Sequence, residues 1–237
     1  LQQLPGVAVG TEGMTGLYVR GGGADENLYL LDGNPVYHVN HLLGFFSAFN
    51  PDAIKNTRFY KGSFPAEYGG RLSSVVDVRM NDGNRQEYHG NISVGLLSAR
   101  ANLEGPIVKD RSSFNVSVRR TWLDLITGTA LAIINKNSDT KESFGYHFFD
   151  INAKVNHSFS ERSRAYLSFY MGQDAFRQGS KEKHEDSDDM FLWRWGNLIG
   201  SAGWNYVFGQ KLFGNLMVGY SRFRSHIRQE AKGYEIE

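Results

Sequence analysis

The chain has 237 residues, of which 41% are hydrophobic, 22% charged and 14% aromatic, and these proportions exclude an intrinsically disordered chain. Its 26 basic and 25 acidic residues leave a net charge of +1, so we expect no nucleic-acid partner. The absence of cysteine excludes disulfides, thiolate nucleophiles and cysteine-ligated metal sites.

The first predicted elements are short strands joined by tight turns. Glycine occurs 27 times and proline only 5 times, which favours strands and turns over helix bundles. The opening LQQLPGV has no basic region before an apolar core, so we expect no signal peptide and a start inside a domain. We predict strands at Gly16 to Arg20 and at Asn27 to Leu31, followed by an Asp32-Gly33-Asn34-Pro35 turn.

The three glycines after Arg20 raise the question of a phosphate-binding loop. In such a loop the glycines precede a helix whose backbone amides bind the anion. Here Asp25 and Glu26 stand where the anion would bind, and the next segment is a predicted strand. The sequence therefore argues against a nucleotide site.

The pattern of polar and apolar residues changes near Asp82 and Gly83. Before them, short strands, glycine turns and a small helix predicted near Pro51 to Lys55 are typical of an α+β domain. After them come long segments in which polar and apolar residues alternate. We therefore predict two domains, at residues 1–84 and 85–237.

The alternating segments predict antiparallel strands of an outer-membrane β-barrel. A period of two places apolar side chains on one face and polar ones on the other, over about ten residues each. The segments are Ala99 to Ile107, Phe114 to Trp122, Phe149 to Phe159, Arg164 to Met171, Leu198 to Phe208 and Leu212 to Tyr220. A soluble β-sandwich, whose strands also alternate, is the alternative fold on periodicity alone.

The predicted connections alternate in length, as they do in such barrels. Pro106 to Ser112, Ser160 to Ser163 and Phe208 to Lys211 are short, whereas Thr127 to Gly145 and Arg177 to Met190 are long. Within the first long connection, the apolar run Leu125 to Ile134 is too short to cross a bilayer as a helix. Aromatic residues near the strand ends are predicted to form interfacial girdles: Trp122, Phe159, Trp195, Trp204, Tyr206, Phe208 and Tyr220.

Four motifs in order and spacing carry a family resemblance. They are Val-Arg-Gly at 19–21, Leu-Asp-Gly-Asn-Pro-Val at 31–36, Tyr-Lys-Gly at 60–62 and Tyr-Gly-Gly-Arg-Leu-Ser-Ser-Val at 68–75. This region resembles the plug domain of a TonB-dependent outer-membrane receptor. The segment GPIVKDRSSFNVSVRRTWLD that follows is similar to the first barrel strands of receptors from Bacteroidetes-type bacteria.

The resemblance implies an α+β plug followed by the first strands of an antiparallel transmembrane β-barrel. Such barrels close about 22 strands around the plug, and about seven can be traced here. We therefore expect a piece of a larger receptor, with the signal peptide, the coupling box and the first plug strand outside this sequence.

The resemblance also implies ionic contacts between plug and wall. The guanidinium of Arg20 could bind a wall carboxylate with two hydrogen bonds, although a solvated or locally capped arginine is equally compatible. The candidate anchoring residues are Arg20, Glu67 and Arg71 in the plug and Glu104 and Arg119 in the wall. The candidate turn residues are Gly21, Gly22, Asp32, Gly33, Pro35, Gly69 and Gly70.

By the same resemblance, the segment Tyr37 to Phe46 is the candidate ligand-facing loop. Its polar or stacking groups are Tyr37, His38, Asn40 and His41. His38 and His41 have no third metal ligand nearby, and the acidic segment Glu182 to Asp189 lacks the spacing of a calcium loop. We therefore expect no bound metal and no cofactor. Because the sequence has no nucleophile motif, we also expect no enzymatic activity.

The implied function is TonB-dependent uptake of a nutrient, such as a glycan, a peptide or a siderophore-like ligand, across the bacterial outer membrane. The implied partners are the TonB–ExbB–ExbD energy-coupling complex, outer-membrane lipids and the nutrient, with a SusD-like surface lipoprotein as a further candidate. Two alternatives remain open from the sequence. They are a soluble or cell-surface carbohydrate-binding β-protein and a non-transporting structural member of an outer-membrane assembly.

Overall fold

The computed structural model of the protein describes residues 3–8, 16–182, 188–231 and 234–236. Up to residue 84, eight strands form small sheets, and we call this part the plug. The strands are β1 (Val7–Ala8), β2 (Tyr18–Val19), β3 (Asn27–Leu31), β4 (Asn34–Pro35), β5 (Asn40–His41), β6 (Phe46–Ser47), β7 (Ile54–Tyr60) and β8 (Ser74–Met80). The largest sheet has the order β4-β3-β8-β7, in which only β3 and β8 run parallel.

Local chemistry explains the plug turns. Asp32 and Gly33 both have positive φ angles, of 46° and 84°, and they connect β3 to β4 as the sequence predicts. Asp32 also accepts a hydrogen bond from the Met80 amide at 3.1 Å, which ties the turn to β8. At Pro51–Ala53 the predicted helix is a single 3-10 turn, because β7 begins at Ile54.

Beyond residue 84 the strands form one antiparallel sheet of eight, which we call the wall. Its strands pair in chain order and are β9 (His89–Val94), β10 (Ser98–Val108), β11 (Ser112–Thr121), β12 (Thr140–Ser160), β13 (Ser163–Glu182), β14 (Asp188–Val207), β15 (Phe213–Ala231) and β16 (Tyr234–Ile236). One helix, α1 (Leu123–Ile134), and a 3-10 turn at Asn135–Asn137 lie between β11 and β12.

The long strands correct two sequence predictions. Strands β12 to β15 have 19 to 21 residues, about twice the predicted length, so most of the predicted loop Arg177 to Met190 is strand. The predicted loop Thr127 to Gly145 contains most of α1 and the start of β12. Residues 183–187 of the acidic segment Glu182 to Asp189 lie outside the described residues.

The two faces of the wall differ in chemistry, as the alternation predicts. Toward the plug, Asn115 and Ser117 of β11 are fully buried. On the opposite face, Val116 and Val118 are 39% and 43% exposed, and Leu167 of β13 is 63% exposed. In a sandwich these apolar side chains would be covered by a second sheet, so that alternative is not the fold of the described residues.

The aromatic girdle prediction needs one correction. Phe159, Trp204, Phe208 and Tyr220 are exposed. Trp195 is only 2% exposed and packs with Tyr146 and Phe148 on the plug side of the wall. Side chains alternate along a strand, so Trp195 lies on the same face as the other odd-numbered residues of β14, and that face points toward the plug.

In the described part of the chain, no helix is both long and apolar enough to cross a membrane. The plug packs against the face of the wall that carries Asn115 and Ser117, so its apolar core includes wall residues. The cluster consists of Leu17, Val19, Leu31, Val36, Val76, Val78 and Met80 from the plug with Tyr170 and Ile199 from the wall.

Candidate functional site

A plug histidine sits between two wall carboxylates. His41, at the end of β5, is 3% exposed, with Nε2 2.8 Å from Asp150 Oδ1 and Nδ1 2.6 Å from Asp174 Oδ2. Its ring stacks on Phe148, with ring centroids 4.1 Å apart and planes 4° from parallel. Since Asp150 lies on β12 and Asp174 on β13, one plug side chain connects two neighbouring wall strands.

The two carboxylates determine the charge of this histidine. Burial alone lowers the pKa of His41, but the hydrogen bonds and negative charges of Asp150 and Asp174 outweigh burial and raise the pKa to about 9. At neutral pH the ring is therefore an imidazolium, in which both nitrogens donate. The contacts are buried ion pairs.

Arg119 adds a wall cation that also reaches the plug. Its Nη2 is 2.5 Å from Asp150 Oδ2 and donates to the backbone carbonyl of Ser47 at 2.8 Å. The guanidinium lies 5.0 Å from the centre of the Phe148 ring. Asp150 is thus shared between a cation of the plug and a cation of the wall.

Tyrosine hydroxyls complete this cluster. Tyr146 donates to Asp174 and accepts a hydrogen bond from the Leu42 amide of the plug at 2.5 Å. The hydroxyl of Tyr170 lies 3.2 Å from Asp150 Oδ1. Each buried carboxylate therefore has several donors, which is what makes burying its charge tolerable.

A second ionic cluster lies farther along β12, toward the short turns. Lys154 is 5% exposed, and its Nζ is 3.3 Å from Asp32 Oδ1, 3.1 Å from Asp82 Oδ1 and 3.1 Å from the Met80 carbonyl. Asp82 also contacts Lys55 at 2.5 Å. Burial raises the pKa of Asp82, but the two lysines outweigh it and hold that pKa below its ordinary value.

Neutral hydrogen bonds join the Leu31–Val36 motif and the segment after it to β14 and β15. The amide of Asn34 donates to Ser201, and Ser221 donates to the Pro35 carbonyl at 2.6 Å. The side-chain amide of Asn197 makes two hydrogen bonds with the backbone of Tyr37. Its oxygen accepts from the Tyr37 N–H at 3.1 Å, and its nitrogen donates to the Tyr37 carbonyl at 2.5 Å. The turn within the Leu31–Val36 motif therefore helps to attach the plug to the wall.

The structure separates the five predicted anchoring residues into two groups. Arg119 and Glu104 lie at the plug–wall contact, and Glu104 accepts from Asn81 at 2.8 Å. Arg20, Glu67 and Arg71 are exposed on the plug. Arg20 lies beside Gly62, where an added Cβ would be 2.9 Å from its Nη1, and Arg71 donates to the Gly70 carbonyl at 2.9 Å.

The predicted ligand-facing loop is also divided. Tyr37 and His38 are exposed, and the His38 ring meets Trp195 edge-on at 5.7 Å. Asn40 pairs with Ser47 between β5 and β6. His41 is enclosed by the wall and so is separated from the exposed Tyr37 and His38, and the ligand-facing role of these residues stays a prediction. In the described part of the chain, no histidine and carboxylate group is arranged to hold a metal ion.

Sequence reasoning missed Asp174, Tyr146 and Lys154 as contact residues. A usable signal existed, because each lies at a plug-facing position of a predicted strand or of its extension. A charged residue on that face must find a partner when the lumen is filled. Arg100, on the same face of β10, does so with Asp52 of the plug at 2.8 Å.

Residues 1–76 match the family model described as TonB-dependent Receptor Plug Domain. The chain is similar in structure to the siderophore receptor PirA from Acinetobacter baumannii, with 15% identity and a TM-score of 0.50, covering 96% of this chain and 45% of that one. It is also similar to a double mutant of the ferric enterobactin receptor PfeA from Pseudomonas aeruginosa, with 15% identity and a TM-score of 0.50, covering 95% and 42%.

The chain thus spans less than half the length of these two receptors. No protein of curated function gives a significant match. At 15% identity the structural likeness concerns the fold alone, which is a plug with a partial, unclosed barrel wall.

TonB-dependent receptors are outer-membrane transporters rather than enzymes, and they interact with TonB and with small-molecule ligands such as siderophores. The predicted resemblance is confirmed, while its Bacteroidetes-type part and the domain limits 1–84 and 85–237 stay predictions. Residues 1–76 match the plug domain of TonB-dependent receptors, and the strands that follow form part of a barrel wall with the fold of such receptors.

Proposed function

We propose that this chain is the plug and the first wall strands of an outer-membrane receptor that imports a small nutrient when TonB moves the plug. The plug would comprise residues 1–84 and the wall strands residues 85–237. The observation that carries the proposal is the chemistry of the plug–wall contact. It contains buried ion pairs and hydrogen bonds beside an apolar cluster, while the other face of the same strands is apolar and exposed.

A contact of this kind suits a plug that must move. The net stability of buried ion pairs is small, because the cost of desolvating the charges nearly cancels their attraction. Once water enters the lumen, His41, Asp150 and Asp174 can each be hydrated. Separating an apolar contact would instead cost about 25 cal/mol for every Å² exposed.

The energy for this movement would come from the TonB–ExbB–ExbD complex. The pulling force would act on the plug, and no chemical step by this chain is required. An outer-membrane location follows from the same proposal, because the exposed side chains of Val116, Val118 and Leu167 would then contact acyl chains.

For the nutrient, we propose a glycan, a peptide or a siderophore-like compound. Tyr37 and His38 offer an exposed phenol and imidazole, beside Trp195 and Phe223. Rings with hydrogen-bonding tips suit compact polar ligands. PirA and PfeA are siderophore and ferric enterobactin receptors by name, which places ferric siderophores among the compounds to test.

The test compares binding and uptake by the full-length receptor in cells with and without the coupling complex. Labelled glycans, peptides and ferric siderophores are supplied separately. We expect at least one to bind in both strains and to enter only coupled cells. Entry without the complex would contradict the proposal, and binding without entry in either strain would favour a structural membrane protein. If the receptor is water-soluble and monomeric in the absence of detergent, that result would favour the carbohydrate-binding alternative.

A SusD-like surface lipoprotein is a further proposed partner. Its presence would be tested by isolating the full-length receptor from its native outer membrane and identifying stoichiometric companions. A receptor that transports with no companion would remove this partner from the proposal.

A further inference from the structure

We propose that the outer surface of the wall binds the phosphate-bearing headgroup of a membrane lipid at a basic patch formed by Arg194, Arg222 and Arg224. The inference rests on the proposed function, which places this surface against the membrane. It adds a lipid site at a defined depth, on the side of the wall away from the plug.

Contacts on β15 show which way the arginines point. Ser221 donates to the Pro35 carbonyl of the plug, and the Phe223 ring lies 6.2 Å from the His38 ring. Side chains alternate along a strand, so Arg222 and Arg224 lie on the opposite face, with Val218 and Tyr220. Arg222, Arg224 and Tyr220 are all exposed.

The register brings Arg194 of β14 to the same face. Arg194 pairs with His226, and it is exposed while its neighbour Trp195 is buried against the plug. Arg222 pairs with Leu198, and Arg224 pairs with Gly196. The three guanidinium groups therefore project from adjacent rows of two neighbouring strands.

The patch lies where headgroups are expected. The outward positions Leu212 to Tyr220 are apolar or glycine, and eight steps of about 3.3 Å cover about 26 Å of strand. With a tilt of about 40°, that is a height of about 20 Å within an apolar band of about 25 Å. Arg222 and Arg224 occupy the next two outward positions, on the side away from the short turns.

The surface at this point is concave. Gly196 lies between Gln173 and Arg224 in the register, and a Cβ added to it would be 2.3 Å from the Gly172 carbonyl oxygen, so the backbones approach closely here. A depression of about 370 Å³ lies at this point, lined by Met171, Gly172, Gln173, Arg194, Trp195, Gly196, Asn197, Leu198, Arg222, Arg224 and His226. A headgroup can therefore enter between the arginines.

The charge of the patch is unbalanced. Among the described residues, Arg194, Arg222 and Arg224 have no carboxylate partner, and the outward carboxylate Glu230 is paired with Arg228 at 2.6 Å. Arg222 and Arg224 stand two residues apart on one face, about 6.6 Å along the strand. Like charges at this distance repel, and their repulsion grows beside a low-dielectric lipid phase.

A phosphate group has the charge and the hydrogen-bond acceptors to bind these arginines. The planar guanidinium donates two parallel hydrogen bonds to phosphate oxygens, which makes arginine well suited to bind a phosphate group. The row Met171, Leu198 and Arg222 runs directly from apolar surface to charge. A ligand that fits both parts carries acyl chains and a phosphate group in one molecule, so we assign the site to a lipid rather than to free phosphate.

The test uses the full-length receptor in nanodiscs of phosphatidylcholine containing diphosphoryl lipid A, with retained lipid counted by native mass spectrometry. We expect the Arg222→Gln/Arg224→Gln variant to retain this lipid about tenfold less strongly than the parent protein, because two charge-assisted contacts are lost. The Arg222→Lys/Arg224→Lys variant should fall between them, since it keeps the charge but loses the paired hydrogen bonds.

The matched control removes two charges elsewhere. Lys109→Gln/Lys211→Gln changes exposed lysines at the short-turn end and should leave retention at the parent level. An equal loss in this control, or no loss in the arginine variant, would overturn the site. Equal occupancy by inorganic phosphate in detergent would overturn the lipid as its ligand.

Failure of the two proposals can be told apart. A receptor that enters nanodiscs and imports nutrient with coupling, yet retains lipid equally in all variants, contradicts only the basic patch. A receptor that stays soluble and cannot be incorporated contradicts the proposed function itself.

Discussion

His41 shows what sequence alone could and could not reveal about single residues. Its place in the Tyr37 to Phe46 segment suggested a ligand contact, because a histidine in a loop has the right chemistry. Its partners Asp150 and Asp174 lie more than a hundred residues away along the chain. Alternation predicts that Asp150 faces the plug, but no local pattern indicates which plug residue it meets.

The raised pKa of His41 predicts a pH-dependent plug. The pKa is about 9 in the folded receptor and about 6.5 when the histidine is unpaired. The stabilisation is therefore complete below about pH 6.5 and is lost as the pH rises through about 9. Hydrogen exchange of β5 amides, corrected for intrinsic rates, should show decreasing protection over this range. A His41→Gln receptor should lack this step, and an identical step in that variant would contradict the assignment.

Lys154 provides a second prediction for one residue. Lys154→Met leaves Asp32 without its buried ammonium partner and should weaken plug docking by about 3–5 kcal/mol. The matched control is Lys55→Met. Lys55 contacts Asp82, as Lys154 also does, but its side chain is 53% exposed, so its loss should cost less than about 1 kcal/mol. Urea titration with limited proteolysis of the plug measures both. Equal losses would show that burial of Lys154 is unimportant.

At the scale of elements, strand identity was predictable and strand length was not. A period of two indicates the faces of β11 to β15, but it does not indicate the residue at which each strand ends. Helix α1 was missed because its side chains offer no polar stripe to reveal a helical period. It lies against β12, where the Thr127 hydroxyl is 3.1 Å from the Phe144 carbonyl oxygen.

The outward faces should respond to charge according to depth. Leu167 pairs with Val155 and Ala202 in the middle of the apolar surface, so Leu167→Arg should cost about 2–4 kcal/mol of folding free energy in a bilayer. Leu212→Arg, at the short-turn end, should cost about 0–1 kcal/mol. Equilibrium folding of the full-length receptor into lipid vesicles gives both values. A similar small cost at both positions would argue against a membrane-facing surface.

For the whole molecule, the ordered motifs were sufficient to identify the plug and to expect a polar contact with the wall. They could not predict how the plug is seated. That arrangement depends on contacts such as Asn34 with Ser201 and Asn50 with Ser117, which join distant parts of the chain. Their amide and hydroxyl side chains are common on any polar surface, so composition carries no information about the pairing.

A reversible crosslink tests whether the plug has to move. The chain has no cysteine, so Asn34→Cys with Ser201→Cys introduces one defined pair at an existing side-chain contact. The oxidised full-length receptor should bind its nutrient but not import it, and a reductant should restore import. Each single-cysteine variant should import under both conditions. Undiminished import by fully crosslinked receptor would contradict the proposed plug movement.

The shared carboxylate Asp150 has a consequence for the return of the plug. If His41 withdraws as proposed, Asp150 keeps Arg119 and Tyr170, and Asp174 keeps Tyr146, all supplied by the wall. The vacated site would thus keep one cation, Arg119, for two carboxylates, and would carry a net negative charge. If the plug moves as proposed, its return would require the imidazolium of His41 to pair again with these two carboxylates, alongside the other plug–wall contacts.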